Sequence, residues 1–249
     1  MALECNLREQ VRQILGVALL GGSVFSKQPI WVVQGLVSAL GFIVTLTAWG
    51  GAGALSNLAL AYVVTGAWGQ GSNVVAQVVG YSKFGGELDR LTASPIKPHT
   101  YLLGLLLGTS PFMLEGLLPA FFLFYITGYT PIKVFEEVVL LAPASLVAGS
   151  FFSLAIVLNI KNPTNVSAIT NPLYTLTVVL PPVYYPLSFL PGWLRLVSLC
   201  DPAVSLLQVG RILAGYSEPL NPNYVVLSAA LSVTVVLLLS FKSFRWGMR

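Results

Sequence analysis

The chain has 249 residues, of which 55% are hydrophobic and only 9% charged, with a formal net charge of +4. A soluble domain carries roughly a quarter of its residues as Asp, Glu, Lys or Arg, so composition excludes an ordinary soluble protein, and nucleic acid is not an expected partner. The mean hydropathy of +0.80 marks a polytopic membrane protein, and long unalternating apolar runs exclude a barrel, which leaves an all-α fold.

At the N-terminus, Leu3, Leu7, Val11, Ile14, Leu15 and Ala18 recur at helical spacing opposite Arg8, Glu9, Arg12 and Gln13. This pattern predicts an interfacial helix over 1–28 that lies along the membrane. Its first apolar run leads to Gly21, Gly22 and Lys27 without a small-residue cleavage site, so the segment is expected in the mature protein. A membrane span needs ~20 apolar residues, and 29–80 supplies two of them. The first runs from Pro29 to Gly50, with Trp31 and Trp49 at its ends, where indole rings favour the headgroup layer. The second runs from Ala54 to Gly80 and carries Asn57, Gln70, Ser72, Asn73 and Gln77, which must face protein or a cavity.

Residues 81–98 form a polar interval with Lys83, Glu87, Asp89, Arg90 and Lys97. Gly85 and Gly86 break an incoming helix, Glu87 to Thr92 can wind about a turn and a half, and Ser94-Pro95 stops it. Leu88 and Leu91 share one helical face and could seat in a groove on a soluble partner, with Glu87, Asp89 and Arg90 pairing around the rim. The alternative is an ordinary polar loop with a helical turn.

Residues 99–180 hold spans three to five. The third, Tyr101 to Ile126, contains Pro111, Glu115 and Pro119 and is expected to be kinked or broken. The fourth, Val138 to Ile160, follows Glu136 and Glu137, whose carboxylates suit a helix N-terminus. The fifth runs from Val166 to Leu180. Residues 181–222 are punctuated by prolines 181, 182, 186 and 191 and read as a re-entrant helical hairpin at the outer face, allowed only where protein or water covers the freed backbone. A sixth span, Tyr224 to Phe241, and a tail with Lys242, Arg245 and Arg249 occupy 223–249.

Six transmembrane helices put both termini on one side. With the termini inside, only Lys133, Arg195 and Arg211 of the 13 Lys and Arg lie outside, so the positive-inside rule assigns the termini and 81–98 to the cytoplasmic side of the cell membrane. Cys5 and Cys200 then fall on opposite faces, which excludes an internal disulfide. The sequon Asn165-Val166-Ser167 falls inside and is not expected to be glycosylated.

Glu115 is the one ionisable residue placed mid-membrane. It either lines a translocation path or carries a proton, or it is a hydrogen-bonded carboxyl packed near the kink between Pro111 and Pro119. His99 is the single histidine, so no metal cluster and no Ser-His-Asp set can form, and no catalytic residue is expected. Gly104 and Gly108 permit close helix approach within the bundle. Tyr174, Tyr184, Tyr185 and Phe189 read as an interfacial aromatic belt, or as contacts to a hydrophobic or glycan substrate.

The stretch GGELDRLTASPIKPHTYLLG resembles the G-x-L-x-R-L-x-x-x-P segment of ATP-binding-cassette (ABC) exporter permeases of the second export type, which forms a coupling helix between spans two and three. A second stretch, LPGWLRLVSLCDPAVSLLQVGRILAG, is similar to that family's outer signature at Pro191, Trp193, Leu194, Pro202, Arg211 and Gly215, with Asp201 where the family more often has Asn. The resemblance covers the whole chain. It implies a membrane-spanning exporter subunit that pairs with a second permease, identical or not, in membrane lipid. It also implies cytoplasmic ABC ATPase subunits docked at Glu87, Leu88, Asp89, Arg90 and Leu91, and an amphipathic or lipid-linked substrate. No G-x-x-x-x-G-K-[ST] loop occurs, so no cofactor is expected in this chain, and ATP and Mg belong to the partner ATPase. Two other classes are an ATP-independent carrier or channel coupled through Glu115 and a scaffold subunit of a membrane complex. The two halves of the chain do not match, which argues against an inverted-repeat carrier.

Overall fold

The computed structural model describes residues 2–51, 53–128, 131–216 and 220–243, and every element among them is helical. The side chains of Leu3, Cys5 and Leu7 and the tail residues Arg245 and Arg249 lie outside what is described. Helix α1 (Ala2–Lys27) is followed by α2 (Ile30–Gly50) and α3 (Gly53–Gly69). A π-helical segment, Gln70–Val75, joins α3 to α4 (Ala76–Phe84), and the residues flanking it keep right-handed helical dihedrals, so the helix runs unbroken from Gly53 to Phe84. The short α5 (Glu87–Thr92) precedes α6 (Pro98–Thr109). A 3-10 turn at Ser110–Met113 leads into α7 (Leu114–Ile126), so around Pro111 the helix tightens, while the apolar run continues as one stretch from Pro98 to Ile126.

Helix α8 (Pro131–Val157) begins well ahead of the expected Val138, because Pro131 opens a helix as readily as a carboxylate does. Glu136 and Glu137 therefore lie inside the helix rather than in front of it. Glu137, at 2% exposure, faces Gly210 and leaves its Oε2 without a hydrogen bond. Helix α9 (Asn165–Tyr174) continues into a second π segment, Thr175–Val179. After a 3-10 turn at Leu187–Phe189 come α10 (Gly192–Ser198), α11 (Pro202–Leu213) and α12 (Pro222–Ser243). The chain bends by 105° between α10 and α11.

Four helical stretches are long and apolar enough to cross a membrane, Ile30–Gly50, Pro98–Ile126, Ile132–Val157 and Pro222–Ser243, or five if the bent α10–α11 pair is one span. Their outward faces are apolar: Val37, Leu40 and Val44 on α2, and Leu227, Leu231 and Leu238 on α12, are exposed. Only lipid or another apolar surface covers such faces.

Helix α3 forms the centre. Leu58, Val63, Ala67 and Trp68 are fully buried within the largest hydrophobic cluster, and the Trp68 indole donates to Thr177 Oγ1 at 2.9 Å. Small residues admit the neighbours. A Cβ added at Gly116 of α7 would lie 2.5 Å from Gly66 Cα, so the two backbones touch where α3 and α7 cross.

Helix α1 does not lie across the bundle as an interfacial helix would. Val17 packs on Gly104, Gly21 on Gly108 and Phe25 on Phe112, with ring centroids 5.2 Å apart in the last pair. The constant offset between partners means that α1 runs parallel to α6 for two turns and shares its direction. Gly104 and Gly108 serve the predicted close approach, with α1 as the partner.

Candidate functional site

Glu115 stands at the start of α7, one residue before the Gly66–Gly116 crossing, where two further glycines make room for it. A Cβ at Gly35 of α2 would fall 2.6 Å from both Glu115 Cβ and Oε2. A Cβ at Gly69 of α3 would fall 2.9 Å from the Tyr174 ring and 3.6 Å from Glu115 Oε1. The half-buried carboxyl has no hydrogen-bond or ion-pair partner among the described residues. It opens into a cavity of about 380 Å³ lined by α2, α3, α7, α9 and the segment after α9.

The cavity wall combines amides and hydroxyls with aromatic faces: Gln34, Ser38, Thr65, Asn73 and Asn171 beside Trp31, Phe42, Tyr62, Tyr174 and Tyr184. Tyr184, 8% exposed, stacks on Phe42 with centroids 4.7 Å apart and planes 17° apart. The Tyr62 hydroxyl donates to the Ala39 carbonyl at 2.9 Å, which leaves its ring to the cavity. Tyr174 and Tyr184 therefore do not belong to an exposed belt: helix α9 and the turn after it carry them inward, while Phe189 stays outside at 74% exposure. Trp31 lines the cavity beside Glu115 as well as the cavity that reaches Glu87. Trp49, at 89% exposure, stands at the other end of α2.

A second cavity of about 670 Å³ shares Trp31, Val74 and Asn171 with the first and extends to Gln77, Tyr81, Ser82 and Glu87. Together they make one polar furrow from the start of α5 to the middle of the bundle. Three of the amides expected to face protein or a cavity do so: Asn73 and Gln77 bond each other along the furrow wall, while Gln70 donates to Thr109 Oγ1 at 2.9 Å. Among the described residues no group of His, Cys, Asp and Glu is placed to hold a metal ion.

Helix α5 has the bounds expected from its breakers. Gly86 takes φ +74° before it, a conformation costly for other residues, and the Ser94 hydroxyl closes its end on the Leu91 carbonyl at 2.6 Å. Leu88 and Leu91 do not point outward. They pack, half-buried, with Val17, Val79, Tyr101 and Leu105, because the only apolar surface within reach of so short a helix is the chain's own bundle. Its exposed residues are Glu87, Asp89 and Arg90, and Glu87 accepts from Ser82 Oγ at 3.0 Å. Just before α5, Lys83 Nζ donates to the Leu158 and Ile160 carbonyls at 2.7 and 2.8 Å, which ties α4 to the end of α8. Lys83→Met is expected to lower stability by about 1–2 kcal/mol, read as a lower unfolding midpoint in detergent.

At the far end of the bundle the second motif resolves into helix punctuation. Asp201 caps α11 by accepting from the Ala203 amide at 2.8 Å, and Pro202 follows as its first residue, so Asp serves there as Asn would. Gly215 takes φ +85°, and the Gly215→Ile212 and Tyr216→Arg211 backbone bonds close a Schellman motif. Between them Arg211, fully buried, donates from Nη2 to the Val183 and Tyr185 carbonyls at 3.0 and 3.4 Å. Pro191 opens α10, and Trp193 is exposed. Arg211 was legible as a signature but not as a pin, since nothing local signals which carbonyls it will reach.

An all-helical bundle with lipid-suited faces, a polar furrow inside and a charged helix at the furrow's mouth defines a membrane transport protein. Residues 7–213 match the model of the ABC-2 type transporter family. The chain belongs to that family, and it is a membrane subunit of an ABC transporter, a class that normally works with an ATP-binding-cassette ATPase. Neither the curated proteins nor the solved structures contain a match to the chain.

Proposed function

We propose that the chain is the membrane-spanning subunit of an exporter, driven by a separate ATPase that docks on the charged face of α5. The observation that carries this reading is the anchoring of α5. Leu88 and Leu91 bind it to the bundle, Lys83 ties the preceding helix to α8, and Glu87 lies at the furrow's mouth, so force applied to α5 reaches three spans and the furrow together. The exposed Glu87, Asp89 and Arg90 are suited to charge pairing with a soluble partner. Six spans are proposed by adding the unbroken Gly53–Phe84 helix and the α9–π run to the four long apolar stretches, with α10 and α11 re-entrant. The charge count supports cytoplasmic termini and a cell-membrane location, and Lys83, the α8 terminus and Ser243 share one end of the bundle. A second permease subunit completes the pathway, and the cargo is amphipathic or lipid-linked and moves outward.

Arg90→Glu is expected to weaken co-purification with a candidate ABC ATPase by about tenfold or more, the scale of a close interfacial charge pair. The permease itself should keep its elution profile and unfolding midpoint. Undiminished association with every ATPase that binds the unmodified chain would overturn α5 as the docking helix. Leu88→Asp, by contrast, is expected to destabilise the permease, because it buries a charge against Val79 and Tyr101.

A further inference from the structure

The Glu115 cavity has a chemistry more specific than amphipathic cargo requires. Its wall contains one carboxylate, and the adjoining cavity adds Glu87, while among the described residues no Lys, Arg or His lines either space. Five aromatic side chains, Trp31, Phe42, Tyr62, Tyr174 and Tyr184, line the same cavity as the carboxylate. Aromatic faces attract cations, and a carboxylate in a low-dielectric bundle is costly until a positive charge compensates it. An anion meets the opposite: two carboxylates and no donor of positive charge. A divalent metal is unsuited as well, because hard cations want six or more oxygen ligands, and no group of three acidic or metal-binding side chains is present among the described residues. Glu115 packs directly on the α2 backbone at Gly35, and the Tyr174 ring packs on α3 at Gly69, so the glycines bring the carboxyl and the ring against these helices; the cavity beside them, about 380 Å³, falls in the range of small-molecule sites.

We propose that this cavity binds a monovalent organic cation with an apolar body, its charge held by Glu115 and its body by the aromatic wall. As a class of transported substrate this rests on the exporter reading; as a binding site it does not. The shared wall of Trp31, Val74 and Asn171 provides the route between the cavity and the mouth at Glu87.

The test uses the full chain in lipid nanodiscs without any ATPase, so that it is independent of the docking experiment. Tetraphenylphosphonium and tetraphenylborate, near-equal in shape and opposite in charge, are measured by equilibrium dialysis against protein-free nanodiscs. Saturable binding is expected for the cation alone. Glu115→Gln should weaken it by about tenfold, equivalent to one charge contact of about 1.4 kcal/mol, and Glu115→Asp should restore it to within about threefold. Should Glu115→Gln not purify as a single species, the charge preference of the unmodified protein decides. Equal binding of the two ions, no saturable binding beyond that of lipid, or a Gln variant within about twofold of the unmodified chain would each overturn the site. Cation binding with failed ATPase docking would leave the site standing and remove the exporter reading; docking without charge preference would do the reverse.

Discussion

Replacing Gly116 by leucine is expected to abolish the folded bundle, with a destabilisation of more than about 3 kcal/mol. At the crossing of α3 and α7, a Cβ on Gly116 would sit 2.5 Å from both the Gly66 Cα and the Tyr62 carbonyl oxygen. Both are backbone atoms, so no side-chain rotation relieves the clash, and the helices must separate. Separation would empty the contacts around Trp68 and Tyr62 that make α3 the centre of the core. Gly41→Leu is the matched control, since a Cβ at Gly41 meets nothing within 4 Å and its position on α2 is exposed. The measurement is the yield of monodisperse protein and its unfolding midpoint. A Gly116→Leu variant with the midpoint of the control would show that this crossing is absent from the folded protein.

The fold class was legible because composition and apolar run length act on every residue of a span at once. The bounds of α5 were legible too, since Gly86 and Ser94-Pro95 impose backbone constraints that no tertiary contact has to supply. What misled was the direction in which side chains face. Leu88 and Leu91 share a stripe whether they meet a partner or their own bundle, and only the arrival of Val17 and Tyr101 decides it. Helix α1 carries an apolar stripe that suits a membrane surface, but its packing follows Gly104 and Gly108, about ninety positions later in the chain. The start of α8 was not legible, because both Pro131 and the Glu136–Glu137 pair suit a helix N-terminus and only the packed structure chooses Pro131.

The candidate site was half visible for the same reason. Glu115 stood out as a carboxylate inside an apolar run, and Asn73, Gln77 and Gln70 stood out as amides needing partners. Tyr174 and Tyr184 looked like a surface belt because they flank a proline pair, yet both line the cavity beside Glu115. The inward turn of Tyr184 depends on the segment 181–191, which is held by its ring contacts to Phe42 and Tyr62 and by one long-range hydrogen-bonding contact.

That contact is Arg211, and its replacement is expected to have the second-largest effect on the fold. Arg211 is 0% exposed and donates to the Val183 and Tyr185 carbonyls from the last turn of a helix that is capped at both ends. Arg211→Met keeps the length and apolar stem of the side chain but removes the donors, leaving buried carbonyls at a cost of about 1–3 kcal/mol each. Val183 and Tyr185 flank Tyr184, so the loss is transmitted to the stacked Phe42–Tyr184 pair and hence to the cavity wall. Arg211→Lys offers one ammonium in place of a planar fork and should recover part of the stability. Arg195→Met is the comparison, because Arg195 bonds the Leu190 and Ser188 carbonyls at a partly exposed site, where water can replace it. Unfolding midpoints should therefore fall in the order Arg195→Met, Arg211→Lys, Arg211→Met, with the last lowest. Cys200, exposed between α10 and α11, gives a second readout: thiol labelling on a Cys5→Ser background should accelerate as 181–191 loosens. If Arg211→Met matches Arg195→Met in both measurements, the buried arginine does not hold the segment that shapes the cavity.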